Sequence, residues 1–152
     1  MDSIAIKLDP GAYQPTRSHE HDAGLDLAAK HHTTIPVGGH HLSDTGVHIT
    51  IPAGHVGLLT PRSSLTTRYG VTVANSPGVI DSGYTGEIKI PLVNHGTFEV
   101  QLDAGQRIAQ LLIIPITTPA VHIVDELTTT PRGDGGFGST GVAARKEDDR
   151  AA

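Results

Sequence analysis

The 152-residue chain has no cysteine and no tryptophan, and it carries only two phenylalanines and one methionine. Without cysteine, disulfide staples, thiolate nucleophiles and cysteine-built zinc sites are excluded. No apolar run reaches the roughly 20 residues that a membrane-spanning helix needs, so no membrane association is expected. The first ten residues, MDSIAIKLDP, lack the basic and apolar regions of a signal peptide, and a soluble cytoplasmic protein is expected. An excess of positive charge is missing too. Lys and Arg number 11 against 16 Asp and Glu, for a net charge of −5 with histidine neutral. A general nucleic-acid surface is therefore not expected. Local anion binding stays open, because a few placed arginines and backbone N–H groups suffice.

What is abundant is turn chemistry. Gly 18 and Pro 10 punctuate the chain, and Val, Ile and Thr are plentiful between them. The length suits one domain, on a norm of roughly 100–200 residues per domain. Many short strands joined by tight turns, an all-β fold with little helix, is the expectation.

Ile4 to Leu8 alternates as a first strand would. In His21-Asp22-Ala23-Gly24-Leu25-Asp26-Leu27, the small residues between two aspartates imply close backbone approach. Asp26 points to the face opposite Leu25 and Leu27. It either pairs with an arginine or helps hold water around a divalent ion. His19, His21, His31, His32, His40 and His41 crowd the first third. Their spacings fit no metal signature, so they read as solvated loop residues. Gly46 to Thr60 reads as a hairpin with a Pro52-Ala53-Gly54 turn. Pro61 ends it, and Ser63 is placed to cap a short helix through Leu65, Thr66, Thr67 and Arg68, stopped by Gly70. That start, with Arg62 beside Ser63 and Ser64, is either an ordinary cap or an anion site.

Val71 to Ala74 reads as a strand. Asn75, before Ser76-Pro77, is either turn chemistry or a donor–acceptor pair that matches a pyrimidine edge. The stretch Gly78 to Ile90, GVIDSGYTGEIKI, reads as a β-hairpin with Asp81 and Tyr84 near its base. It places a carboxylate beside an aromatic ring. Glu87 to Asn94 and Phe98 to Leu102 are expected to pair around Asn94-His95-Gly96. Gly105 to Ile114 is apolar on both faces, as a doubly buried strand is. Gln110 within it needs hydrogen-bond partners, from backbone or from a ligand. Ala120 to Asp125 reads as a last strand. Arg132 to Gly141 holds five glycines around Phe137. It is either a flexible tail or a phosphate-wrapping segment with Phe137 as a stacking lid. Residues 142–152 read as a disordered charged tail.

In order and spacing, HDAGLDL, PRSSL, GVIDSGYTGEI, GQRIAQLLI and RGDGGFGSTG resemble the five motifs of the trimeric deoxyuridine triphosphate nucleotidohydrolases, the dUTPases. The resemblance spans Ile4 to about Val142. It implies a distorted jelly-roll β-barrel with one short helix and a flexible C-terminal arm, residues 1–141 with the arm at about 126–141. It also implies a homotrimer whose active sites lie at subunit interfaces. One chain would supply motifs one, two and four, a second motif three, and the third its arm. The implied reaction is Mg²⁺-assisted hydrolysis of dUTP to dUMP and pyrophosphate, which keeps uracil out of DNA and supplies dUMP for dTMP synthesis.

The resemblance also distributes roles. Asp81 matches the base that deprotonates the attacking water. Gln110 matches the amide beside the α-phosphate. Tyr84 matches the ring under deoxyribose that leaves no room for a 2′-hydroxyl. Asn75 with the backbone around Gly78 and Ile80 would read uracil. Arg62, Ser63, Ser64 and Lys89 fall with the substrate contacts. Arg132 matches the γ-phosphate clamp, Phe137 the uracil stack, and Gly138, Ser139 and Thr140 phosphate contacts. No direct metal ligand is implied. Mg²⁺ would be held by the triphosphate and water, with Asp26 as outer support. Ser64 departs from the glycine many members carry there. Two rivals share the fold: a dCTP deaminase relative, for which Glu87 would be the acid candidate, and a nucleotide-sensing module without catalysis.

Overall fold

Short runs of β-branched residues between turns give short antiparallel strands, and the computed structural model describes these through residues 3–136. It divides into two units, Met1–Thr118 and Pro119–Ala152.

In the first unit the strands are β1 (Ile6–Leu8), β2 (Leu25–Ala28), β3 (Thr33–Ile35), β4 (His40–Ser43), β5 (Val47–Ile49) and β6 (His55–Pro61). Helix α1 (Ser63–Tyr69) follows, then β7 (Val71–Val73), β8 (Gly78–Ile80), β9 (Ile90–Asn94), β10 (Val100–Leu102) and β11 (Arg107–Pro115). Their sheet orders are β2-β11-β6-β8, β4-β9-β7, β1-β5 and β10-β3, and every pairing is antiparallel. All four contribute to one apolar core, in which Leu27, Ile35, Ile90, Leu92, Leu102 and Ile108 are fully buried. Burying each such side chain contributes about 2 kcal/mol, so the inward positions select the pairing. The apolar run of β11 lies between β2 and β6 in its sheet, with Ile108, Ala109 and Leu111 buried and Leu112, Ile113 and Ile114 half-buried rather than fully covered on both faces.

Partners differ from the hairpins expected at three places. Gly46 to Thr60 does turn at Pro52–His55, where the His55 N–H donates to the Pro52 carbonyl at 3.1 Å. Yet β5 pairs with β1, and β6 with β11 and β8. Gly78 to Ile90 is not a hairpin either. β8 pairs with β6, β9 pairs with β4 and β7, and residues 81–89 form an arch from one sheet to another. β10 pairs with β3 rather than with β9. A turn signal reverses the chain, but long-range burial chooses the neighbour.

Three local readings also change. The strand expected from Glu87 begins at Ile90, because residues 87–88 are stitched to 45–48 instead. There the Ile88 N–H donates to the Val47 carbonyl at 2.8 Å, and Thr45 Oγ1 donates to the Ile88 carbonyl at 2.6 Å. The N-cap of α1 is Arg62, not Ser63, and no side chain caps it. Gly70 ends the helix as expected, at φ 71°. In the second unit, Ala120 to Asp125 forms no strand. Val121 and Ile123 are exposed and have no sheet partner, and β-propensity alone does not hold an unpaired strand.

Candidate active site

The arch builds one depression of about 260 Å³, lined by Asn75, Gly78, Ile80, Asp81, Tyr84 and Lys89 among others. β8 positions its near wall through the register Leu59↔Gly78 and Gly57↔Ile80. Ile80 faces the core, while Val79 faces solvent. Gly78 is buried, and a β-carbon there would stand 3.3 Å from that of Leu59 and 3.5 Å from Asn75 Nδ2. A side chain there would crowd Leu59, while the Asn75 amide lies at ordinary contact distance along the wall. Asp81 and Tyr84 share a tight turn, with the Tyr84 N–H donating to the Asp81 carbonyl at 3.0 Å. Both side chains are exposed and face the depression. The Tyr84 hydroxyl donates to the Glu87 carbonyl at 2.8 Å.

Lys89 also lines this depression, but its ammonium is already engaged. It lies 2.7 Å from Asp44 Oδ1 and 3.4 Å from Glu87 Oε2. The Asp44 hydrogen bond raises the Lys89 pKa above its ordinary value, and Lys89 in turn holds the Asp44 carboxyl below its own. Glu87 is equally committed. Its Oε1 accepts the N–H groups of Thr45 at 3.1 Å and Gly46 at 2.7 Å. Glu87 lines the same depression, with Oε1 engaged by backbone and Oε2 facing Lys89 at 3.4 Å.

A second depression, of about 280 Å³, is lined by Ser18, Asp22, Ala23, Gly24, Asp26, Arg62, Ser63, Ser64 and Gln110. The β2–β11 register sets Asp26 opposite Gln110, and the β11–β6 register sets Gln110 opposite Thr60. Of the two readings left open for Asp26, the arginine pairing is realised. The Asp26 carboxylate, nearly buried, accepts Arg62 Nε at 2.9 Å and Arg107 Nη1 at 2.8 Å. Its double pairing offsets the cost of burial. Arg107 Nη1 also donates to Ser18 Oγ at 2.9 Å. Gln110 Nε2 donates to the Pro61 carbonyl at 3.2 Å, so backbone satisfies the donor half of the amide. The acceptor half lies against Gly24, the close backbone approach expected in the first motif. Ser63 and Ser64 open α1, whose first N–H groups have no intrahelical acceptor.

The two depressions share no lining residue. Asp81, Tyr84, Asn75, Gly78, Ile80 and Lys89 fall in the first; Asp26, Arg62, Ser63, Ser64 and Gln110 fall in the second. Arg132 belongs to the second unit, in a turn where its Nε donates to the Gly135 carbonyl at 3.2 Å. Phe137, Gly138, Ser139 and Thr140 lie outside the described residues.

Neither the pairing of Arg107 with Asp26 nor the Asp44–Lys89–Glu87 network was legible in the sequence. Arg107 had a signal, since it lies within GQRIAQ on the strand that faces Asp26. Of the early histidines, all but His41 are exposed. Among the described residues, no group of three or more His, Cys, Asp or Glu is placed to hold a metal ion. No helix among them is long and apolar enough to cross a membrane.

The chain matches the dUTPase family over residues 12–141. A deoxyuridine 5′-triphosphate nucleotidohydrolase of Cutibacterium acnes is 47% identical over 124 residues, covering 81% of this chain and 82% of that protein. One of Crocosphaera subtropica is 43% identical over 137 residues, covering 90% and 96%. Among solved structures, Staphylococcus bacteriophage 80alpha dUTPase with dUPNHPP is similar at a TM-score of 0.87 and 30% identity, covering 93% of this chain and 100% of that one. A mutant dUTPase of phage phi11 of S. aureus, described as revealing the coordination of a structural Mg(II) ion, gives 0.76 at 27% identity, covering 82% and 98%.

Proposed function

The chain belongs to the dUTPase family, and from that premise we propose that it hydrolyses dUTP to dUMP and pyrophosphate at sites shared between subunits of a homotrimer. The reaction keeps uracil out of DNA and supplies dUMP for dTMP synthesis, and its place is the cytoplasm. The observation that supports the shared site is that Asp81 and Tyr84 line one depression and Gln110 and Arg62 another, with no lining residue in common. Asp81 cannot act at a phosphorus that Gln110 and Arg62 hold unless both depressions meet around one nucleotide. Two neighbouring chains supply that meeting, and closed symmetry repeats it three times. The arm, at about 126–141, comes from the third chain.

Uracil enters the arch, where the Asn75 amide and the backbone at Gly78 and Ile80 read its edge. Mispaired buried polar groups then reject cytosine. The same narrow arch leaves no space for a 5-methyl group. Tyr84 lies under deoxyribose and excludes a 2′-hydroxyl. Arg62 and the start of α1, with Ser63 and Ser64, hold phosphate oxygens. Lys89 acts from the wall as the charged tether of the arch. Gln110 presents its acceptor oxygen to the attacking water, and Asp81 takes the proton as that water attacks the α-phosphorus in line. Arg132 clamps the γ-phosphate, Phe137 stacks on uracil, and Gly138, Ser139 and Thr140 complete the phosphate contacts.

The residues fit a metal that arrives on the triphosphate rather than one the protein binds itself. Both oxygens of Asp26 already accept from guanidinium groups, and Asp22 Oδ2 accepts the His19 N–H at 2.9 Å. Asp26 is thus left to aim Arg62 and to border the metal's waters. When bound, Mg²⁺ neutralises triphosphate charge and so favours attack at phosphorus.

The test is subunit mixing. Asp81→Asn and Gln110→Ala chains should each be nearly inactive alone. Unfolded together and reassembled, they should regain up to about a quarter of wild-type activity, the share of sites that combine two intact halves in random closed assemblies. No gain on mixing, with mixed oligomers verified, contradicts the shared site.

A further inference from the structure

We propose that Glu87 is a positioning residue that fixes Tyr84 and, through it, the choice of sugar; this rests on the dUTPase reading above. The network begins with two successive N–H groups. Those of Thr45 and Gly46 converge on Glu87 Oε1, at 3.1 and 2.7 Å. Two consecutive backbone donors around a left-handed glycine, here Gly46 at φ 66°, make a cradle for an anionic oxygen. The cradle has little freedom to move. Thr45 is fully buried, and a β-carbon on Gly46 would stand 2.7 Å from that of Ala12. Lys89 Nζ approaches the other carboxylate oxygen at 3.4 Å and is itself held by Asp44 at 2.7 Å. The side chain of Glu87 is therefore gripped from both sides.

That grip reaches the ring of Tyr84. The Tyr84 hydroxyl donates to the backbone carbonyl of the same Glu87 at 2.8 Å. The ring lies across Gly86, where a β-carbon would stand 2.6 Å from Tyr84 Cζ. Tyr84 is 46% exposed, so packing alone does not set its orientation. Its hydrogen bond to Glu87 does. That carbonyl shares a peptide plane with the Ile88 N–H, which donates to the Val47 carbonyl at 2.8 Å, and the Glu87 carboxylate adds a second anchor to the same residue. Removing the carboxylate leaves two protein N–H groups without their acceptor and takes away the side-chain anchor at the foot of the arch, leaving the backbone bond from Ile88 to Val47 to hold it alone. Glutamine keeps one acceptor oxygen of the same reach, so it keeps the cradle filled.

The experiment compares kcat/KM on dUTP and on UTP for the wild type, Glu87→Gln and Glu87→Ala, with melting temperature followed alongside. Glu87→Ala should lose up to about 100-fold on dUTP, the scale of a small misplacement of a reacting group. It should lose much less on UTP, so its preference for the deoxy sugar falls about tenfold. Glu87→Gln should stay within about threefold of the wild type on both. Equal losses on dUTP and UTP would overturn the proposal, since a structural role alone lowers both together. A Glu87→Gln variant as impaired as Glu87→Ala would also overturn it. If Glu87→Ala does not fold, Glu87→Asp, which withdraws the carboxylate by one methylene, takes its place with the same expectation. A wild type inert on dUTP would instead overturn the activity on which the proposal rests.

Discussion

Gly24 lies against the amide of Gln110. A β-carbon at Gly24 would stand 2.3 Å from Gln110 Oε1 and 3.1 Å from its Cβ. The first motif and the fourth thus meet through the absence of one side chain. Gly24→Ala should push the Gln110 oxygen away from the position at which we propose it orients water. Turnover of dUTP should fall by about 10- to 100-fold, with the fold little changed. Steady-state kinetics beside thermal melting would check this. Unchanged turnover would show that the Gln110 oxygen need not stay where Gly24 lets it lie.

Asp26 ties Arg62 and Arg107 together at the second depression, where we propose the phosphates bind. Replacing it with Asn removes the charge that holds Arg62 and Arg107 and places an amide against one of the two guanidinium donors. Both arginines retain some solvent, so the loss is below that of a fully buried pair. A destabilisation of about 2 kcal/mol in urea denaturation is expected. The KM for dUTP should rise as well, because Arg62 loses its aim. A variant as stable as the wild type would show that water replaces Asp26 at no cost.

Lys89 and Asp44 give a pH dependence whose sign is fixed. Their hydrogen bond holds the Asp44 carboxyl below 3.8 and the Lys89 ammonium above 10.5. A lowered acid stabilises the fold above its unfolded value, and that stability is lost as pH falls through the folded one. A raised amine contributes below its unfolded value and loses the contribution as pH rises through the folded one. The pair therefore stabilises across the range between. Asp44→Asn should lower the melting temperature slightly at about pH 7, since both groups are well exposed. The gap to the wild type should close below 3.8. A gap that persists unchanged in acid contradicts an ionic contribution.

Much of this molecule was legible in its residues. The β-rich composition, the helix stopped at Gly70 and the strand containing Gln110 follow from local pattern and chemistry, and an arginine pairing was one of two readings open for Asp26. Strand partners did not. Turn signals at Pro52-Ala53-Gly54 and Asp81-Ser82-Gly83 reverse the chain, yet neither says which strand lies alongside. That is decided by burial of Val47, Ile80 and Ile90 in a core built from distant segments. Glu87 was misplaced for the same reason. The alternation of Ile88, Ile90 and Leu92 after it reads as a strand, while its carboxylate is captured by residues some forty positions earlier. Nothing local marks Thr45 and Gly46 as its partners.

The account turns on which phosphorus the water attacks, and turnover in heavy-oxygen water reads that directly. The purified enzyme would hydrolyse dUTP with Mg²⁺ present, and mass spectrometry would locate the label in the products. Attack at the α-phosphorus predicts label in dUMP and none in pyrophosphate. Label in pyrophosphate, with dUMP left light, would contradict it.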